Sequence, residues 1–183
     1  MLEQLMVTYC APTLAAVATG NLFTCRYEKL KDLQDQIDRC SRCVNNKGVL
    51  LRLLRVEQNT ALIYVFRPRK LWDHLCNPDV REFLLSVGYQ PAGLCGMIDQ
   101  LAARVEENGE FPHEIGLFLG YPLEDVKGFI QNKGNNYLCV GYWKVYHDEP
   151  TAQKLFEKFR LCTKLYGQRF LQGTPLRQLT VTA

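Results

Sequence analysis

Only three histidines occur in 183 residues, and one of them, His113, stands in Phe111-Pro112-His113-Glu114-Ile115, at the start of an apolar run. Proline at a first helical position with an acid close behind marks a helix start. At such a place the positive end of the helix dipole favours a neutral imidazole, which can serve as a ligand or a base. Glu114 is a candidate carboxylate partner, although successive helical side chains point about 100° apart. The competing reading of the pair is a helix cap, with Glu114 complementing the dipole. Cys10, two residues before Pro12, is a candidate nucleophile if the fold brings its thiol to His113. Its competing reading is a small buried thiol, the common state of free cysteine. Cys10, His113 and Glu114 are thus the catalytic candidates. The aromatic residues Tyr121, Tyr142, Trp143 and Tyr146 join His113 as candidate cofactor-binding residues, because such side chains line pockets with polar rims.

Other constellations are weaker. Leu117 occupies the place of the second histidine in His-Glu-x-x-His, which excludes that zinc pattern, and no metal-ligand set is assigned. Cys40 and Cys43 form a Cys-x-x-Cys pair, but Cys40 falls on an apolar stripe and the pair sits at a helix C-terminus, where the dipole raises thiol pKa. Arg52, Arg55, Arg67, Arg69 and Lys70 could make a phosphate-binding patch, against the commoner reading of a charge-protected sheet edge. Gly116 and Gly120 leave a bare helix face for a close-packed neighbour or a flat ligand. Phosphate loops, dinucleotide fingerprints and a serine-nucleophile elbow are absent.

The elements that must position these residues follow from periodicity. Leu2, Leu5, Met6 and Tyr9 predict a first helix that stops near Cys10, because Pro12 disfavours helix at Ala11. Leu22 to Cys25 reads as a short strand, and Tyr27 to Val44 as an amphipathic helix. Val49 to Val56 and Ala61 to Phe66 predict an antiparallel hairpin. Short helices follow at Leu71 to Cys76 and Val80 to Val87. A longer one places Leu94, Ile98, Leu101 and Val105 inward and closes at Asn108-Gly109. Pro112 opens a helix ended by Gly120, and Leu123 to Ile130 form the next. Tyr137 to Tyr146 is apolar on both alternating faces and predicts an interior strand. The last helix runs from about Pro150 to Phe170, with a loosely held tail after Gly173. The expected fold is α+β: one domain over 1–172 with a tail over 173–183, a small antiparallel sheet (hairpin about 49–66, interior strand about 137–146) and several helices.

Composition sets the remaining bounds. A net charge of +3 from 22 basic and 19 acidic residues argues for no polyanion by itself, so nucleic acid is an unfavoured partner. Neither a secretion signal nor a membrane-length apolar run is read, which makes the expected location cytoplasmic and the eight cysteines reduced thiols.

Several segments together resemble a bacterial family defined only as a domain of unknown function, DUF3793. They are Cys10-Ala11-Pro12-Thr13-Leu14-Ala15, Asn21-Leu22-Phe23, Leu62-Ile63-Tyr64-Val65-Phe66 with Arg67-Pro68, the run from Phe111 to Val126, and Gly141-Tyr142-Trp143-Lys144-Val145-Tyr146. The resemblance spans nearly the whole chain and implies no defined activity. It does imply a lysine where this chain has Ala18, and a loose association with iron or redox metabolism and flavodoxin-type electron carriers. The functional expectation is a ligand- or cofactor-binding accessory protein, its cofactor unspecified. The alternatives are a Cys/His-dependent enzyme of acyl transfer or thiol exchange, and a weak nucleic-acid module.

Overall fold

A seven-residue strand of almost unbroken apolar character, Thr60–Phe66 (β3), forms the centre of the protein. The structure, a computed structural model, describes residues 1–107 and 111–183. Strands Gly20–Arg26 (β1) and Leu50–Val56 (β2) flank β3 on either side, both antiparallel to it. Gly20 lies opposite Phe66 and Arg26 opposite Thr60, while on the other side Leu50 also lies opposite Phe66. Because side chains alternate along a strand, Ala61, Ile63 and Val65 enter one core and Leu62, Tyr64 and Phe66 a second. That two-sided burial explains why β3 reads as a continuous apolar run in an antiparallel sheet.

The first core is closed by helix α1 (Leu2–Leu14), helix α2 (Leu30–Val44) and short helix α9 (Leu176–Leu179). The second is closed by α3 (Pro68–Leu75), α4 (Pro78–Ser86), α5 (Leu94–Glu106), α6 (Ile115–Leu119) and α7 (Leu123–Gln131). A third, aromatic cluster joins Trp143, Phe156 and Phe159, where the long helix α8 (Glu149–Leu171) passes a small hairpin of β4 (Cys139–Val140) and β5 (Lys144–Val145). The fold is therefore a single α+β domain with the predicted 49–66 hairpin in place. Among the described residues, no helix is long and apolar enough to cross a membrane.

Four local expectations are corrected. Helix α1 runs through Pro12 to Leu14 and does not stop near Cys10. Its terminal carbonyls find a donor far away in sequence: the Arg67 guanidinium gives hydrogen bonds to Thr13 O (2.7 Å) and Leu14 O (2.9 Å). The 137–146 segment is not one interior strand but two two-residue strands folded on each other, with Leu138 and Val140 exposed. Pro112 does not open α6. The Pro112 and His113 carbonyls accept from Ile115 and Gly116, three residues on, so a tight turn precedes a helix that begins at Ile115. The segment after Gly173 is docked: Leu176 and Leu179 are buried in the first core, and Val181 N donates to Leu14 O. The predicted closure of α5 at Asn108-Gly109 lies outside the described residues.

Candidate functional site

The β4–β5 hairpin is held against α7 by one carboxylate. Asp125, 3% exposed, accepts from the Trp143 indole through Oδ2 (2.7 Å) and from the backbone amides of Tyr146 (2.7 Å) and His147 (2.9 Å) through Oδ1. A buried carboxylate without a cation is tolerable when its lone pairs are met by donors, and here three donors from the hairpin meet them. Two glycines let the surfaces close. A Cβ on Gly128 would come within 2.5 Å of the Tyr146 ring, and one on Gly141 would collide with the Phe156 ring.

Between this hairpin and the α6–α7 pair lies a groove of about 320 Å³. Its floor is aromatic: Tyr121 stacks on Trp143 with ring centroids 4.6 Å apart, and Trp143 meets Phe156 edge-on at 4.5 Å. Burial pushes the Tyr121 phenol up to about 12, so it stays a neutral donor, pointing at Tyr142 O (3.4 Å). Val126, Ile115 and Leu119 add aliphatic wall, and His113, Phe129 and Lys144 form the rim. His113 is exposed, its ring edge-on to Phe129 at 4.8 Å, and its nitrogens make no hydrogen bond among the described residues. The Lys144 ammonium donates to Gly134 O (2.7 Å) and lies 5.0 Å from the centre of the Tyr137 ring.

The candidates separate accordingly. His113, Tyr121, Tyr142 and Trp143 meet at the groove. Tyr146 does not line it; its ring covers Gly128, and its hydroxyl is buried without a partner among the described residues. Glu114 turns away from His113 into an ion pair with Arg104 (3.2 Å) and is nearly buried. Cys10 is wholly buried in the first core, apart from the groove, and burial pushes its thiol pKa far above the usual range. The fold therefore does not join Cys10, His113 and Glu114 as nucleophile, base and orienting acid. Ala18 lies in the aromatic cluster with Trp143 and Phe156, below the groove.

The remaining motifs take structural parts. Cys40 is buried, and desolvation first, then Glu3 and Cys43, push its thiol up to about 12. Arg52 pairs with Asp99 (2.5 Å) and Arg55 with Glu57 (3.1 Å), while Arg67 and Lys70 are turned onto backbone carbonyls. Four of the five basic groups of the expected patch are thus engaged within the protein, and Arg69 is exposed. Gly116 lets Val126 pack closely, since a Cβ there would come within 2.9 Å of Val126 Cγ2, and it also lines the groove. Among the described residues no group of three or more His, Cys, Asp or Glu side chains is arranged to hold a metal ion. Sequence reasoning missed Asp125 and Lys144 as parts of the site. The signal for Asp125 was an acid on the inward side of α7, among Leu123, Val126 and Phe129.

Against known proteins, a family model described as Protein of unknown function (DUF3793) matches residues 6–180. No curated protein and no solved structure matches the chain.

Proposed function

The chain belongs to DUF3793, whose description assigns no activity, and from the groove we propose a binding protein for a planar, largely apolar small molecule. The observation that carries this reading is the stacked Tyr121–Trp143 pair on the floor of a 320 Å³ groove whose rim bears an exposed imidazole, without a partner among the described residues. That volume lies at the lower end of the roughly 300–1,000 Å³ of small-molecule sites. Apolar walls with a few convergent polar groups are their usual lining. A flat ring system packs against the part of this stacked pair that the groove leaves open. An acceptor on its edge takes a hydrogen bond from His113, and a negative charge is favoured by Lys144.

The link to iron or redox metabolism rests on the family resemblance and orders the probes, flavin mononucleotide first and haem second. Trp143 reports the groove directly once the other tryptophan is removed by Trp72→Phe. Binding quenches Trp143 emission and raises the melting temperature in proportion to the logarithm of ligand concentration above Kd. Native mass spectrometry of protein purified without oxygen shows whether a small molecule is retained. No retained mass, together with unchanged emission and melting temperature for both probes, would overturn the reading.

A further inference from the structure

A second cavity, of about 210 Å³, opens between α3, α4 and the start of α5 and shares no lining residue with the groove. Its wall mixes apolar and polar surface, with Leu75, Leu84 and Met97 buried and Trp72 and Leu85 exposed. These last two are large apolar side chains left 39% and 43% exposed, which is where a ligand would remove surface from water. The loop on the far side is pinned, because the Gln100 side chain accepts from Gln90 N (2.7 Å) and donates to Gln90 O (3.1 Å). Among the described residues, Arg81 is the one charged side chain in the wall. It is exposed, and its guanidinium makes no ion pair or hydrogen bond among the described residues, a state it shares with other surface arginines such as Arg26 and Arg69.

We propose that this cavity is a separate binding site for a small amphipathic carboxylate, its hydrocarbon part among Leu75, Leu84 and Met97 and its carboxylate on Arg81. The volume is smaller than that of pockets for drug-sized ligands, so the hydrocarbon part is short. A guanidinium is matched to a carboxylate by its fork of donors, and Arg81, exposed beside the apolar side chains, receives the anionic end. The site does not depend on the function proposed for the groove.

Octanoate is the probe and octan-1-ol its uncharged control, with two readouts that the first groove does not enter. In a Trp143→Phe background, Trp72 is the sole tryptophan and reports the cavity. In the wild-type chain, Cys76 and Cys95 are the exposed thiols, and only Cys76 lines this cavity. Peptide mapping after iodoacetamide treatment therefore gives ligand protection at Cys76 with Cys95 as internal control, even if Trp143→Phe fails to fold. Octanoate is expected to change Trp72 emission and slow alkylation of Cys76 but not Cys95. Arg81→Gln, a surface change that leaves the melting temperature in place, is expected to weaken octanoate about tenfold and leave octan-1-ol unaffected. Unchanged Trp72 emission and Cys76 alkylation through the millimolar range, or equal octanoate affinity in Arg81→Gln and wild type, would overturn the site.

Discussion

At the scale of residues, the groove depends on Asp125 more than on any side chain that faces a ligand. Replacing it by Ala leaves the Trp143 indole and the Tyr146 amide without their acceptor, and an unmet buried donor costs about 1–3 kcal/mol. Asp125→Ala is expected to lose about 2–3 kcal/mol in urea unfolding and to shift Trp143 emission to the red as water reaches the ring. Asp125→Asn keeps one carbonyl oxygen and loses less. His74 gives the pH dependence. Its Nε2 is buried without a partner among the described residues, and burial lowers its pKa below the ordinary 6.5, with the Tyr121 backbone opposing in part. The unfolded chain therefore takes up this proton first as pH falls, so the folded state is at full stability above about 6.5 and loses stability below it. Unfolding free energies measured between pH 7 and 5 should fall less steeply in His74→Gln than in wild type.

Elements explain which residues could be brought together, and their glycines give a paired test. Gly141 abuts Phe156, whereas Gly167, inside α8, has open space where a side chain would go. Gly141→Ala is expected to destabilise the protein and weaken ligand binding at the groove. Gly167→Ala should raise stability by about 0.5–1 kcal/mol, the ordinary gain of alanine over glycine in a helix, both read by thermal melting. The same elements show what was legible beforehand. Helices α2 and α5 carry their periods in the chain because each buries one face along its length, α8 does so from Ala152 to Phe159, and the β2–β3 hairpin is legible from the apolar run of β3. The β4–β5 hairpin does not: its apolar residues alternate as in an interior strand, yet Leu138 and Val140 face water and Gly141 makes the turn. Helix α1 was misplaced for a different reason. The bias of Pro12 is local, while the carbonyls of Thr13 and Leu14 are satisfied by Arg67, which no local pattern reveals. Of the residues that line the candidate groove, His113, Tyr121, Tyr142 and Trp143 could be picked out from the chain. The separation of Cys10 from His113 was not, since it is decided by which side of the sheet each helix covers.

At the scale of the molecule, segments far apart in the chain come together in pairs. The run from Phe111 to Val126 meets Gly141 to Tyr146 through Asp125, and Cys10 to Ala15 meets Arg67-Pro68 through the Arg67 guanidinium. Arg67, 2% exposed, also donates to Lys47 O (3.2 Å) and Val181 O (2.8 Å), so one side chain ties the end of α1, the turn after α2 and the C-terminal segment. No carboxylate pairs with it among the described residues, and backbone carbonyls alone compensate the buried charge. Removing it leaves several carbonyls unmet at once, and Arg67→Ala is expected to cost about 3 kcal/mol or more. Truncation after Gly173 removes the Val181 carbonyl and uncovers the seats of Leu176 and Leu179, whose burial contributes about 1.5–3 kcal/mol each. The two changes share one hydrogen bond and one interface, so their losses should not add. In a double-mutant cycle by urea unfolding, the combined loss is expected to be smaller than the sum of the separate losses by at least about 0.5 kcal/mol. Strict additivity would show that Arg67 caps α1 without helping to hold the C-terminal segment, and the link between the two ends of the chain would then rest on the burial of Leu176 and Leu179 alone.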